Sequence, residues 1–329
     1  MTNGQFVNQL IALDGALFEG FLILLCALPL ARLAPLPREM QPLAWFGFLA
    51  KELAKKVNHP ERGSRQQIIA GMMAALLLVL PFWLIVVFLL DMAAFPWFFE
   101  FLILYLCLSD ASFAQVAEEV QRALVHGNKE QAKKLLGQYL SRDTVELSET
   151  GIAKATIEKL VTAPIYGTAS TVFFFALAGA PMVLLVRMLK QLELAWPPIA
   201  PKYRYFCLPI NILVSIFLYV PSWLWSLTLA IQGGPAGMAA LFRHRRWQPL
   251  SNAIRSAYVA ATVLKIELGG PQKHQGSRIE IERVGTGQLP TAKNIGAAIR
   301  LSNRACFTWF LFLLLMPVIW AVLRYLQTL

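Results

Sequence analysis

Charge is scarce in this chain. Asp, Glu, Lys and Arg make up 15% of its 329 residues, against 57% hydrophobic residues and a mean hydropathy of +0.54. About a quarter of the residues in a soluble domain are charged, so most soluble-enzyme readings are excluded at once. Acid is scarcer than base: 19 Asp and Glu stand against 30 Lys and Arg, for a net charge of +11. No helix-turn-helix, zinc-finger or RNP-like pattern accompanies that charge, so nucleic acid is not the expected partner. The four cysteines, Cys26, Cys107, Cys207 and Cys306, are far apart and form no C-x-x-C pair. Neither a zinc site nor a redox dithiol is indicated, and they read as small apolar residues of the spans. His59, His126, His244 and His274 show no metal-ligand spacing, and neither a Ser/His/Asp nucleophile arrangement nor a Gly-x4-Gly-Lys-Ser/Thr loop occurs. Residues 1–14 lack a basic n-region, so the first apolar run is expected to stay in the mature protein.

Long apolar runs fill the space that charge leaves. A bilayer core needs about 20 apolar residues in a helix. Six candidates meet or approach that length: 16–33 (with Glu19 and Pro29), 68–90, a short 96–108 (with Glu100), 163–188, 205–231 (with Pro209 and Pro221) and 306–326 (with Pro317). The prolines predict kinks. The pattern predicts an all-α integral membrane protein with about five to six transmembrane helices, a cytoplasmic helical hairpin subdomain and a Gly-rich cytoplasmic loop. Its sections are 1–108 (first helices and first loop), 109–162 (helical subdomain), 163–231 (central helices), 232–305 (basic loop) and 306–329 (last helix).

Basic residues set the expected orientation. If the six runs alternate, three loops on one side carry 7, 7 and 11 Lys and Arg, and the other side carries five. The positive-inside rule puts the three loops in the cytoplasm and both termini in the periplasm of a bacterial inner membrane. The five exceptions include Arg187, Lys190, Lys202 and Arg204, which fall on the wrong side.

The loops carry local signals. In 112–126 an apolar face of Phe113, Val116, Val120, Ala123 and Leu124 predicts a helix stopped by Gly127. Asn128 caps a second helix over 129–140, and Ser148 caps a third from Glu149 towards Leu160. Arg243-His244-Arg245-Arg246-Trp247 is a headgroup anchor or an anion contact. A helix is expected over 255–265. Glu267-Leu268-Gly269-Gly270-Pro271-Gln272-Lys273-His274-Gln275-Gly276 is a plain turn, or a cradle of backbone N–H groups beside cationic side chains. The charged and apolar alternation of 278–284 predicts one strand of a hairpin.

Taken in order, these stretches resemble the CobD/CbiB family of cobalamin-biosynthesis membrane proteins. Gln41-Pro42-Leu43-Ala44-Trp45-Phe46-Gly47 with Asn58 resembles the family's His-Pro-Val-x-x-x-Gly opening. Ser141-Arg142-Asp143-Thr144 resembles its Gly-Arg-Asp-Thr segment, with Gly151 and Glu158 on the following helix. Leu268-Gly269-Gly270-Pro271, then Gly276 and Arg283-Val284-Gly285-Thr286-Gly287, resembles its Leu-Gly-Gly-Pro-Asn and Gly-Asp-Gly stretch. The resemblance implies ATP-dependent amide formation between adenosylcobyric acid and aminopropanol or its phosphate, with Mg2+ and ATP as cofactors. It points to Arg142, Asp143, Thr144, Glu158, Gly269, Gly270, Pro271, Lys273 and His274 as substrate-binding candidates. The chain also departs from the pattern. The family's Glu-Asn-Thr-Ser-Asp-Gly run corresponds to Thr162-Ala163-Pro164-Ile165-Tyr166-Gly167, and its Asn-Thr-Leu-Asp to Lys190-Gln191-Leu192-Glu193. Glu158 and Glu193 are the acids left for a metal. A fainter similarity to AmpE, an inner-membrane protein tied to β-lactamase regulation, keeps a catalytically degenerate regulatory or assembly protein open. A transporter is a third reading, although no inverted repeat is visible. The expected partners are the corrinoid, the amino alcohol phosphate and lipid, with room for a homodimer.

Overall fold

The computed structural model describes residues 19–108, 110–243, 251–274, 276–285 and 287–327. Residues 1–18, His244 to Trp247 of the basic cluster, Gln275 and Thr286 lie outside the described residues. The chain is mostly helical. Helix α1 covers 19–33, followed by α2 (Pro42–Val57), α3 (Ser64–Asp91), α4 (Pro96–Cys107), α5 (Asp110–Val125), α6 (Lys129–Gly137) and α7 (Glu149–Pro164). A π-helical turn at Ile165–Ala169 leads into α8 (Ser170–Ala195). Then come α9 (Leu208–Phe217), α10 (Tyr219–Gln232), α11 (Gly234–Arg243), α12 (Ser251–Leu264) and α13 (Ala292–Gln327).

By length and composition, four of the described helical stretches can cross a membrane, or five if α9 and α10, bent by 53°, count as one span. Their outer faces are apolar: Leu77, Phe88 and Phe307 are each more than 60% exposed. A row of greasy side chains facing outward suits a lipid surrounding. This is a multi-pass membrane protein.

The run predicted over 163–188 qualifies as a span, but it does not run straight. Ala178 and Gly179 leave helical geometry, and Gly179 has φ 71° and ψ −173°, a region essentially reserved for glycine. The chain reverses there. Arg187 Nη1 donates to the Tyr166 carbonyl at 3.0 Å. Twenty-one residues of unbroken helix would hold those groups about 31 Å apart. The segment is therefore a helical hairpin that returns to the end where α7 enters. Trp83 Nε1 donates to the Pro181 carbonyl beside the apex at 2.8 Å.

This corrects the predicted topology. Arg187, Lys190, Lys202 and Arg204 stand at the same end as the other basic segments, because the fourth run folds back on itself. Asn58, at the end of α2, donates to the Lys202 carbonyl at 2.9 Å. The bent α9–α10 pair starts from this end and also finishes there. Gly233 abuts Val263 of α12, two residues from Ala261 of the second core described next.

The helical subdomain follows the sequence closely. Asn128 accepts from the Gln131 N–H at 3.1 Å and Ser148 from the Gly151 N–H at 3.1 Å, each capping the helix it precedes. Phe113, Val120, Leu136, Ile152 and Ile157 form a second core, closed by Ile266, Leu268, Val284 and Ile295 from the far end of the chain. The alternating stretch 278–284 divides. Its start pairs with β2 (Gln272–His274) as β3 (Ser277–Ile279), and its end pairs with β1 (Glu267–Leu268) as β4 (Val284–Gly285). Cys107, Cys207 and Cys306 are buried as expected, while Cys26 is exposed.

The hairpin makes a topological prediction. In a background without native cysteines, Glu146→Cys and Lys202→Cys should react with an impermeant maleimide from the same membrane face. Labelling from opposite faces would require a straight crossing at 163–188 and contradict the fold-back.

Candidate functional site

The candidate residues come together where three separate stretches meet. The turn 141–146 is clipped to the Gly-rich segment from outside. Asp143 N–H donates to the Lys273 carbonyl at 2.8 Å, Gly276 N–H donates to Asp143 Oδ2 at 2.9 Å, and Lys273 Nζ donates to Glu146 Oε1 at 2.7 Å. Lys273 is partly exposed, and the Glu146 carboxylate raises its pKa. Asp143 and Lys273 therefore fasten two loops together.

Arg142 and Glu158 lie inward. Arg142 Nη2 stands 3.1 Å from Glu158 Oε2, with side chains only 9% and 18% exposed. The Gly269 N–H donates to Glu158 Oε1 at 2.8 Å, and Gln272 Nε2 reaches Glu158 Oε2 at 3.4 Å. Gly269 has φ 75°, and a Cβ there would stand 2.2 Å from the Glu282 carbonyl oxygen, so glycine is required at this corner. Lys154 braces the other side, donating to Glu267 Oε1 at 2.6 Å and to the Gly269 carbonyl at 3.3 Å. That hydrogen bond holds the Glu267 carboxyl below its usual range. His274 is buried beside Gln272 Oε1, at 3.2 Å from its Nε2. Burial, and then Arg142, hold its imidazole below the usual range; Asp143 and the Ser141 backbone oppose them.

Two adjoining cavities sit at this place. The α12 cavity, about 270 Å3, is lined by Arg142, Glu158, Gly269, His274 and Glu193, with Ala253 and Ala257 of α12 as its apolar wall. The α2 cavity, about 380 Å3, lies between α2, the 139–141 turn and the hairpin. Ser141, Lys159 and Pro197 border both. Of the predicted set, Thr144 packs against Gly137, the Gly270 N–H donates to the Ile281 carbonyl, and Pro271 is exposed; none of the three lines either cavity.

Sequence reasoning missed the cations of the hairpin. Lys159 Nζ, the Arg187 guanidinium and Lys190 Nζ stand 5.1, 5.4 and 5.3 Å from the centre of the Tyr166 ring. Lys159 also donates to the Tyr166 hydroxyl, and Lys190 pairs with Glu193 Oε2 at 2.6 Å. For Arg187 and Lys190 the one sequence signal was basic charge on the wrong side of an assumed crossing. The π turn puts Tyr166 among them. Pro164 has no N–H for the Leu160 carbonyl, which lies 3.4 Å from Ser302 Oγ instead, and the Val161 carbonyl accepts from Trp225 Nε1 at 2.8 Å. Among the described residues, no three His, Cys, Asp or Glu side chains are grouped to hold a metal ion.

The chain is similar to known proteins over most of its length. A family model described as CobD/Cbib protein matches residues 24–302. A cobalamin biosynthesis protein CobD of Chromobacterium violaceum is 31% identical over 294 residues, covering 88% of this chain and 94% of its own. A protein of the same name from Stutzerimonas stutzeri is 30% identical over 298 residues, covering 89% and 97%. A cobalamin biosynthesis protein CbiB of Salmonella choleraesuis is 26% identical over 272 residues, covering 79% and 85%. No solved structure matches.

The His274 environment predicts an acid-sensitive stability. Its folded pKa lies below the unfolded value of about 6.5, so its contribution is complete above that pH and is lost as pH falls towards the folded pKa. Glu267, also depressed, loses its contribution only below about pH 4.3. The melting temperature in detergent should fall between pH 6.5 and 5, and fall less in His274→Gln. Equal slopes in both proteins would refute the assignment.

Proposed function

The chain belongs to the CobD/CbiB family and has a role in cobalamin biosynthesis, and we propose that it carries out the amide-forming step joining adenosylcobyric acid to aminopropanol or its phosphate. The supporting observation is the convergence of Arg142, Glu158, Gly269 and His274 on one cavity next to Lys159. Joining an acid to an amine asks a protein to gather anions, hold the two reacting groups in contact and remove a proton from the amine as the C–N bond forms, while the carboxyl C–O bond breaks and its oxygen leaves on a phosphoryl group that ATP would supply. Lys159 and Arg142 supply the positive field. His274, kept neutral by burial, is the base available for the proton. Glu158 positions Arg142 and the Gly269 corner.

ATP supplies the driving force in the reaction that the family resemblance implies, with Mg2+ as its usual companion. The residues here do not fit a Mg2+ cage. Glu158 is paired with Arg142, and Glu193 with Lys190. No step is assigned to the metal. The same observation favours a second reading: a non-catalytic, AmpE-like protein of regulatory or assembly type that keeps the family's fold. Under either reading we place the protein in the bacterial inner membrane, with the cavities facing the cytoplasm and both termini in the periplasm.

Protein in nanodiscs, given adenosylcobyric acid, aminopropanol phosphate and Mg·ATP, should form adenosylcobinamide phosphate. His274→Gln should lower turnover by about 100-fold. No product beside a working relative would establish the non-catalytic reading.

A further inference from the structure

We propose that a groove on the outer flank of α2 seats an acyl chain of a membrane phospholipid. The groove has a volume of about 720 Å3 and lies between α2, α3, α4 and the second arm of the hairpin. Leu43 and Phe46 of α2, Phe82 and Val86 of α3, Leu106 of α4 and Leu184 of the hairpin build its walls. Among the described residues the one charged side chain in the lining is Glu39, which precedes α2. The α2 cavity lies on the other flank of α2, and Leu43 borders both spaces.

Three occupants compete for such a space, and two fit it badly. Water would number about two dozen molecules at the ~30 Å3 each takes in the liquid, and every one needs two to four polar partners that apolar walls do not offer. A helix of a second copy, at a diameter of about 10–12 Å, would fill the groove in roughly one and a half turns, too little contact to hold a span. A methylene chain is narrower, and here it meets apolar side chains from four helices, where lipid elsewhere meets one face. Packing of that kind is what holds apolar groups together inside a bilayer. The groove is also continuous with the lipid-facing surface. Leu49, Phe82 and Ile85 of its lining are themselves exposed, and Phe88 and Leu89 extend the same apolar surface along α3. Trp45, exposed at the rim with its Nε1 on the Glu39 carbonyl at 2.7 Å, is the residue type that settles at headgroup level. The chain therefore enters from the leaflet in which α2 lies. This seat is independent of the ligation proposed above.

Photolabelling tests it. The full chain in nanodiscs containing phosphatidylcholine with a mid-chain diazirine should be labelled at peptides holding 43–49 and 82–86 about fivefold more than at the exposed Phe312 and Leu315 of α13, which face lipid from one side only. Val86→Trp and Leu184→Trp, which fill the groove, should each remove that excess and leave labelling of α13 unchanged. Both should melt in detergent no lower than the wild type, because the added ring takes the place of the chain. The wild-type ratio is a test in its own right if either variant misfolds. Equal labelling of the groove and α13 in the wild type, or an excess that survives in both filled variants, would overturn the proposal. So would a Leu49→Cys cross-link between two copies in place of labelling, which would assign the groove to a second copy.

Discussion

A backbone inside hydrocarbon has no water to satisfy it, so each break in a membrane helix must find its hydrogen-bond partners within the protein. This chain breaks its central helices repeatedly and answers each break with a side chain. Trp225 Nε1 serves the Val161 carbonyl loosened by the π turn, and Ser302 Oγ lies nearest the Leu160 carbonyl opposite Pro164. Arg187 serves the Tyr166 carbonyl, and Trp83 Nε1 the Pro181 carbonyl at the apex. The Glu100 carboxyl group stands near the apex too, where the second arm of the hairpin begins. These donors come from α3, α8, α10 and α13, so the irregular centre is tied to most of the bundle.

The cavities follow from that arrangement. A straight helix over 163–188 would carry Arg187 and Lys190 away from Lys159. The hairpin brings them back beside it, with Tyr166 as the shared surface. The Gly-rich segment closes the other side. It is held from outside by Asp143 and Glu146 and from inside by Glu158 and Lys154, so the segment as a whole is clasped by charged side chains from two sides. The two cavities then lie against one another across Lys159, one bearing the ion-paired acids and His274, the other only cations.

Much of the subdomain was legible in the sequence, because its signals are local. Gly127, Asn128 and Ser148 act on the helices beside them, and the apolar spacing of Phe113, Val120 and Leu136 needs no knowledge of the partner. The turn residues Arg142 and Asp143 were legible by resemblance, but their roles differ: one faces a cavity, the other fastens a loop. The hairpin was not legible. Ala178-Gly179 inside a long apolar run looks like any small-residue pair in a membrane helix, and hydropathy cannot tell one crossing from two half-crossings. The clue was electrostatic. Four cations on the wrong side of a presumed span are more economically explained by a span that never crosses. The nested pairing of β1 with β4 around β2 and β3 was equally hidden, since ladders of two and three residues leave no period.

The departures from the family pattern read differently once the geometry is known. Position 166, where the resemblance expects an acid, holds a tyrosine, and position 190, where it expects an amide, holds a lysine. Taken singly, each change removes a ligand. Taken together they are consistent, because an acid at 166 would have stood among Lys159, Arg187 and Lys190, and a tyrosine there offers the same cations a ring face and a hydroxyl without cancelling their charge. The acids that remain, Glu158 and Glu193, are kept apart from the α2 cavity and each is matched by its own cation. Scattered loss of function would leave buried charges unbalanced at random, and buried charges are costly enough to be removed. The two acid–base pairs at the α12 cavity are balanced in that way.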